Sequence, residues 1–85
     1  MFTAAYSRQA EKFLKHADHI LARRLMGEIE KLQENPFPHD VKSVVGSGER
    51  LFRVRIGDYR ILYEVDHAYS LLGIIKIDKR SRAYD

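Results

Sequence analysis

Residues 51–65, LFRVRIGDYRILYEV, constrain the fold more than any other stretch of this chain. Two β-prone runs flank Gly57-Asp58, and glycine at the first central position of a two-residue loop favours a type II′ turn. That turn sets Ile56 opposite Tyr59. Counting outward puts Val54 against Ile61 and Phe52 against Tyr63, so one face of the hairpin is wholly apolar and must cover a core. On the other face Arg55 meets Arg60, Arg53 meets Leu62, and Glu64 lies diagonal to Arg53. Like charges directly opposite one another destabilise a sheet, so something must compensate. In one reading the long arginine stems splay, lie along Leu51 and Leu62, and pair with Glu64. In the other an anion fills the space between the guanidiniums, whose planar forks suit phosphate oxygens, with RNA phosphate as the leading candidate.

Two amphipathic helices supply the partner for the apolar face. Ser7, after the short β-prone run FTAAY, has the hydroxyl of an N-cap, and Ala10, Phe13, Leu14 and Ala17 follow at the spacing of one helical stripe. Asp18 can cap a second helix, in which Leu21, Leu25, Ile29 and Leu32 form the buried stripe while Arg24, Glu28, Lys31 and Glu34 face water. Asn35-Pro36 ends it, because proline lacks an amide hydrogen and disfavours helical geometry in the residue before it.

Everything after the connector ENPFPHD reads as sheet: VKSVV as a weak strand, then LFRVRI, YRILYEV and SLLGIIKID, separated by short turn signals. The expected fold is α+β in the order β-α-α-β-β-β-β, an antiparallel-rich sheet with both helices packed on one face. Residues 1–85 make a single domain, since two cores would leave neither half enough chain to fold. Strict alternation in the last strand puts Leu72, Ile74, Lys76, Asp78 and Arg80 on one face and Leu71, Ile75 and Ile77 on the other. The tail KRSRAY then sets Tyr84 among Lys79, Arg80 and Arg82.

Composition narrows the chemistry. The absence of cysteine excludes disulfides and thiolate sites and fits a reducing compartment, which makes the cytoplasm the expected location. No apolar run is long enough to cross a bilayer, and the N-terminus lacks the apolar stretch of a signal peptide. Net charge is only +3, but six of the nine arginines lie from Arg50 onward. His39, in the Pro-rich connector, and His67, in a hairpin loop, are read as surface residues without metal-like spacing, so neither a metal nor a cofactor is expected.

The hairpin motif R-x-G-x-Y-R-x-x-Y and the ending KRSRAY, close to H-R-x-x-x-Y, resemble the RelE/ParE superfamily of bacterial and archaeal toxins over nearly the whole chain. The resemblance implies a type II toxin–antitoxin toxin: a ribosome-dependent endoribonuclease that cuts messenger RNA in the A site without a metal. Carried over by position, Arg60 and Arg80 match phosphate-binding arginines, Arg53 a basic catalytic position, and Tyr84 the terminal tyrosine. Arg50, Arg55, Lys79 and Arg82 are the further expected RNA contacts. Lys79 stands where many relatives carry histidine, and Leu51 occupies a position that is basic in relatives, with Arg50 beside it. Implied partners are the ribosome with its mRNA and a RelB-like antitoxin, in a toxin–antitoxin heterotetramer, with no membrane. Two other functions fit the same residues: a ParE-like inhibitor of DNA gyrase, and a small basic RNA- or ribosome-binding module whose tyrosine only stacks on a base.

Overall fold

The computed structural model describes residues 1–38, 41–44 and 51–79. Their order is β1 (Thr3–Tyr6), α1 (Arg8–His16), α2 (His19–Glu34), β2 (Lys42–Ser43), β3 (Leu51–Ile56), β4 (Tyr59–Asp66) and β5 (Leu71–Lys79). The strands form one mixed sheet in the order β1-β5-β4-β3-β2, antiparallel except for the β1–β5 pair. This is the expected α+β order.

Both helices start where their caps predict. The Ser7 hydroxyl accepts the Ala10 N–H at 3.0 Å, and Asp18 Oδ1 accepts the Leu21 N–H at 2.9 Å. Leu25, Ile29 and Leu32 of α2 are fully buried against Val54, Ile61, Tyr63, Leu72, Ile74 and Ile77 of the sheet, with Ala10 sealing the α1 side. The Tyr63 hydroxyl, inside this core, donates to the Pro36 carbonyl at 2.6 Å and so holds the connector after α2.

The strict alternation expected for β5 is not what forms. Leu62 pairs with Lys76 but Tyr63 pairs with Ile74, so Ile75 is an extra residue, a β-bulge. The bulge turns Leu72 and Ile74 onto the core face with Ile77, while Lys76 and Asp78 stay on the opposite face. Without it both apolar side chains would point to water. Burying each is worth about 1.5–3 kcal/mol, more than one lost ladder hydrogen bond. The bulge carbonyl does not go unpaired, because the Ser7 hydroxyl donates to Ile75 O at 2.6 Å.

Ser7 is thus both helix cap and strand partner, and Gln9 extends the pattern. β1 stops at Tyr6, yet its neighbour β5 runs on to Lys79. Over the uncovered edge, Gln9 Nε2 donates to Ile77 O at 2.7 Å and Gln9 Oε1 accepts the Ile77 N–H at 2.9 Å. One side-chain amide does there what a strand residue would do. The first turn of α1 therefore fixes the end of β5.

Candidate nucleic-acid interface

The β3–β4 hairpin has the register that its sequence dictates: Ile56 opposite Tyr59, Arg55 opposite Arg60, Val54 opposite Ile61, Arg53 opposite Leu62. Gly57 has φ +57° whereas Asp58 is not in the positive-φ region, as a type II′ turn requires. A side chain at Gly57 would also meet Arg24 of α2, whose Nη2 lies 2.9 Å from the position of a Cβ. The turn is thereby pinned to the helical layer, with Val54, Ile56 and Ile61 pointing into the core. Arg53, Arg55 and Arg60 share the face opposite the helices.

Two further cations join them. β2 pairs Lys42 with Arg53, and β4–β5 pairing sets Lys76 beside Leu62, so Lys42, Arg53, Leu62 and Lys76 make one row across four strands. The adjacent row reads Arg55, Arg60, Asp78. Sequence reasoning did not find Lys42, because a two-residue edge strand carries too little alternation to fix its register. Strict alternation groups Lys76 with Leu72 and Ile74; the bulge parts it from them and leaves it on the arginine face.

Compensation for the facing arginines comes from a residue that sequence reasoning did not nominate. Asp78 Oδ1 accepts from Arg60 Nε at 2.8 Å and Oδ2 from Arg60 Nη2 at 3.4 Å, while Lys76 Nζ lies 3.7 Å from Oδ2. Glu64, expected to pair with Arg53, stands opposite Leu51, its Cγ 3.0 Å from where a Cβ on Gly73 would sit. Among the described residues it makes no ion pair with Arg53. The Arg60–Asp78 pair is not sealed in, since its side chains keep 21% and 25% of their exposure. The face stays predominantly cationic and open to water.

Of the expected site residues, Arg53, Arg55 and Arg60 are brought together on this face. Lys79 pairs with Tyr59, and strand alternation sets it on the helix-bearing side with Ile77, at the end of the sheet. Arg50, Arg80, Arg82 and Tyr84 lie outside the described residues, as does His39. His67 stacks on Phe37 with centroids 5.8 Å apart, a packing role away from the arginines. Among the described residues no group of three His, Asp or Glu side chains could hold a metal ion. No helix among them is long and apolar enough to cross a membrane.

A recess lies elsewhere in the molecule. A groove of about 540 Å³ runs between α1 and the start of α2, lined by Phe13, Leu21 and Tyr59 with Lys12 and His16 at its rim. It opens on the helical side, and it contains none of the sheet-face arginines. Tyr6 is on that side as well; burial, and secondarily the charge of Glu30, raise its phenol above the usual 10.0.

Two helices on one side of a mixed five-stranded sheet make an architecture shared with solved RelE toxins. The isolated E. coli RelE toxin superposes with a TM-score of 0.82 over 99% of this chain and 92% of its own, at 17% identity, a likeness of fold alone. The RelE of the archaeal RelE–RelB complex from Pyrococcus horikoshii gives a TM-score of 0.81 at 29% identity, covering 95% of this chain and 97% of that one. A protein named as a candidate toxin, RelE1, from Methanocaldococcus jannaschii is 34% identical over 98% of this chain and 94% of its own length. Residues 4–84 match the model of the ParE toxin of type II toxin–antitoxin systems. The chain belongs to that family, and is a type II toxin of RelE/ParE type.

Proposed function

We propose that this toxin is a metal-independent, ribosome-dependent endoribonuclease that cleaves mRNA in the A site and so stops translation. The observation that carries the reading is the placement of Arg53, Arg55 and Arg60 on the sheet face opposite the helices, with Lys42 and Lys76 beside them. Guanidiniums in fixed positions bind phosphate oxygens by paired hydrogen bonds, and they strengthen that hold as charge builds on the phosphorus in the transition state. In the proposed reaction the RNA 2′-hydroxyl attacks the adjacent phosphorus while the bond to the 5′-oxygen breaks, leaving a 2′,3′-cyclic phosphate and a 5′-hydroxyl. The proton leaves the 2′-oxygen and another reaches the departing 5′-oxygen.

Arg60 and Arg80 stabilise the phosphorane, Arg53 supplies a further cation at the reacting group, and Tyr84 moves the protons. A phenol has an ordinary pKa of about 10, and surrounding cations favour its ionised form. Arg50, Arg55 and Arg82 contact flanking phosphates. A face on a domain of this size holds a few nucleotides, so the ribosome must supply placement of the codon, and ribosome-free RNA is a poor substrate. The partner that silences the toxin is a RelB-like antitoxin in a heterotetramer. Support comes from the RelE–RelB complexes of P. horikoshii and E. coli among the structural relatives. The reaction takes place in the cytoplasm.

A second reading is favoured by one observation, the ParE name of the matching family: inhibition of DNA gyrase through binding, without RNA cleavage. Incubation with programmed ribosomes and, separately, with gyrase and plasmid DNA distinguishes the two. A-site cleavage without gyrase-dependent DNA breaks supports the endonuclease; breaks without cleavage support gyrase inhibition. Binding to ribosomes with neither supports a non-catalytic module.

A further inference from the structure

Asp78 is out of place on a face built to hold anions. It is brought there by the pairing of β5 with β4, and its carboxylate occupies the Nε and Nη2 side of Arg60 at 2.8 and 3.4 Å, the two-point geometry that a phosphate would itself adopt. Lys76 approaches the same carboxylate at 3.7 Å, so one acid neutralises charge on two of the cations of the face. We propose that Asp78 is an internal counter-ion that competes with incoming phosphate groups for Arg60 and Lys76 and so sets the affinity of this face for its ligand. The inference rests on the reading of the face as a phosphate-binding surface.

The energetics favour a competitor over a structural lock. Both partners keep 21–25% of their side-chain exposure, and an ion pair that is partly in water contributes little to stability while remaining exchangeable. A ligand phosphate that approaches Arg60 either displaces the carboxylate or binds beside it and meets its negative charge. In both cases affinity is lost. The advantage to a toxin is selectivity: a face held short of full charge binds stray polyanions weakly and engages RNA only where the ribosome presents it at high local concentration.

The test is the affinity of the purified toxin for a short 2′-O-methyl RNA oligonucleotide, which cannot be cleaved, and for inorganic polyphosphate, each followed across a salt series. Asp78→Asn keeps the shape and an oxygen facing Arg60, and Asp78→Ala removes both. Each should bind either probe about fivefold more tightly at low salt, the upper range for a partly exposed pair. The slope of log K against log salt for the oligonucleotide should steepen by about 0.7 for each cation released. Glu64→Gln removes the same charge from the same face without touching Arg60, and should tighten binding less than about twofold.

Unchanged or weaker binding by Asp78→Asn overturns the proposal, as does equal tightening by Glu64→Gln or tightening by the alanine variant alone. Tighter binding by both Asp78 variants, with no A-site cleavage by the wild-type toxin, would uphold the counter-ion and defeat the endonuclease reading. Cleavage by the wild type with no tightening in the variants would do the reverse.

Discussion

The side chain of Gln9 stands in for a missing strand, and replacing it provides a stringent test of how α1 secures the end of β5. Its amide donates to Ile77 O and accepts from Ile77 N at 2.7 and 2.9 Å, so Gln9→Ala deletes two hydrogen bonds to one backbone unit. At about 0.5–1.5 kcal/mol each, the loss is about 1–3 kcal/mol, offset by a few tenths from the better helix propensity of alanine. For a domain of this length that lowers Tm by about 4–8 °C per kcal/mol. Gln9→Glu is the sharper probe. As a carboxylate, the introduced side chain can still accept the Ile77 N–H, but its second oxygen faces Ile77 O with no proton between them. As a carboxylic acid it regains a donor and copies the native amide.

In the Gln9→Glu variant the folded state therefore favours the protonated acid and raises its pKa above the unfolded value of about 4.3. Stability contributed by the protonated form is fully present below that unfolded value and is lost as pH rises through the raised folded pKa. Urea unfolding of wild type, Gln9→Ala and Gln9→Glu from about pH 4 to pH 7, a range that brackets this titration, gives the result as differences from wild type at each pH. Gln9→Glu should approach wild type at the acid end and fall toward Gln9→Ala at neutral pH, while the alanine deficit stays constant. A glutamate deficit that does not change with pH, or an alanine variant as stable as wild type, would refute the amide-for-strand account.

Gly57→Ala forces a β-carbon into a positive-φ position and against the Arg24 guanidinium, and should destabilise by about 1–2 kcal/mol in chemical denaturation. Gly27→Ala is expected to act oppositely: it lies inside α2 with nothing within 4 Å of the new methyl group, and should stabilise by about 1 kcal/mol, seen as a higher Tm. Tyr6 holds its proton more tightly in the folded state, so its contribution is intact below the unfolded pKa of about 10 and declines as pH rises above it. Wild type should accordingly lose stability more steeply than Tyr6→Phe above about pH 10 in denaturant titrations.

How far the fold could be read from the residues depended on where a turn fixes the register. Gly57-Asp58 left one way to pair β3 with β4, and every pair from Ile56–Tyr59 to Phe52–Tyr63 forms as counted. Ser7 and Asp18 likewise announce their helices, because a cap is a local hydrogen bond between neighbours in sequence. The β4–β5 pairing had no such anchor. The loop at residues 67–70 turns through Ser70 at φ +52°, and Ile75 is as apolar as its neighbours, so nothing in LLGIIKIDK marks the bulge. Without that register, Asp78 could not be set beside Arg60, and Glu64, nearer in sequence, was the natural partner to expect. Gln9 was hidden for a similar reason: its partner lies 68 positions along the chain.

Cleavage of a defined mRNA on programmed ribosomes, compared between wild type and the Arg53→Ala and Arg60→Ala variants, tests the central claim most directly. Circular dichroism should first show that both variants keep the wild-type fold. The account predicts A-site cleavage by wild type leaving a 2′,3′-cyclic phosphate end, reduced by at least about a hundredfold in either variant, as expected when a transition-state charge donor is removed. Cleavage at the wild-type rate by a folded Arg60→Ala protein would contradict it.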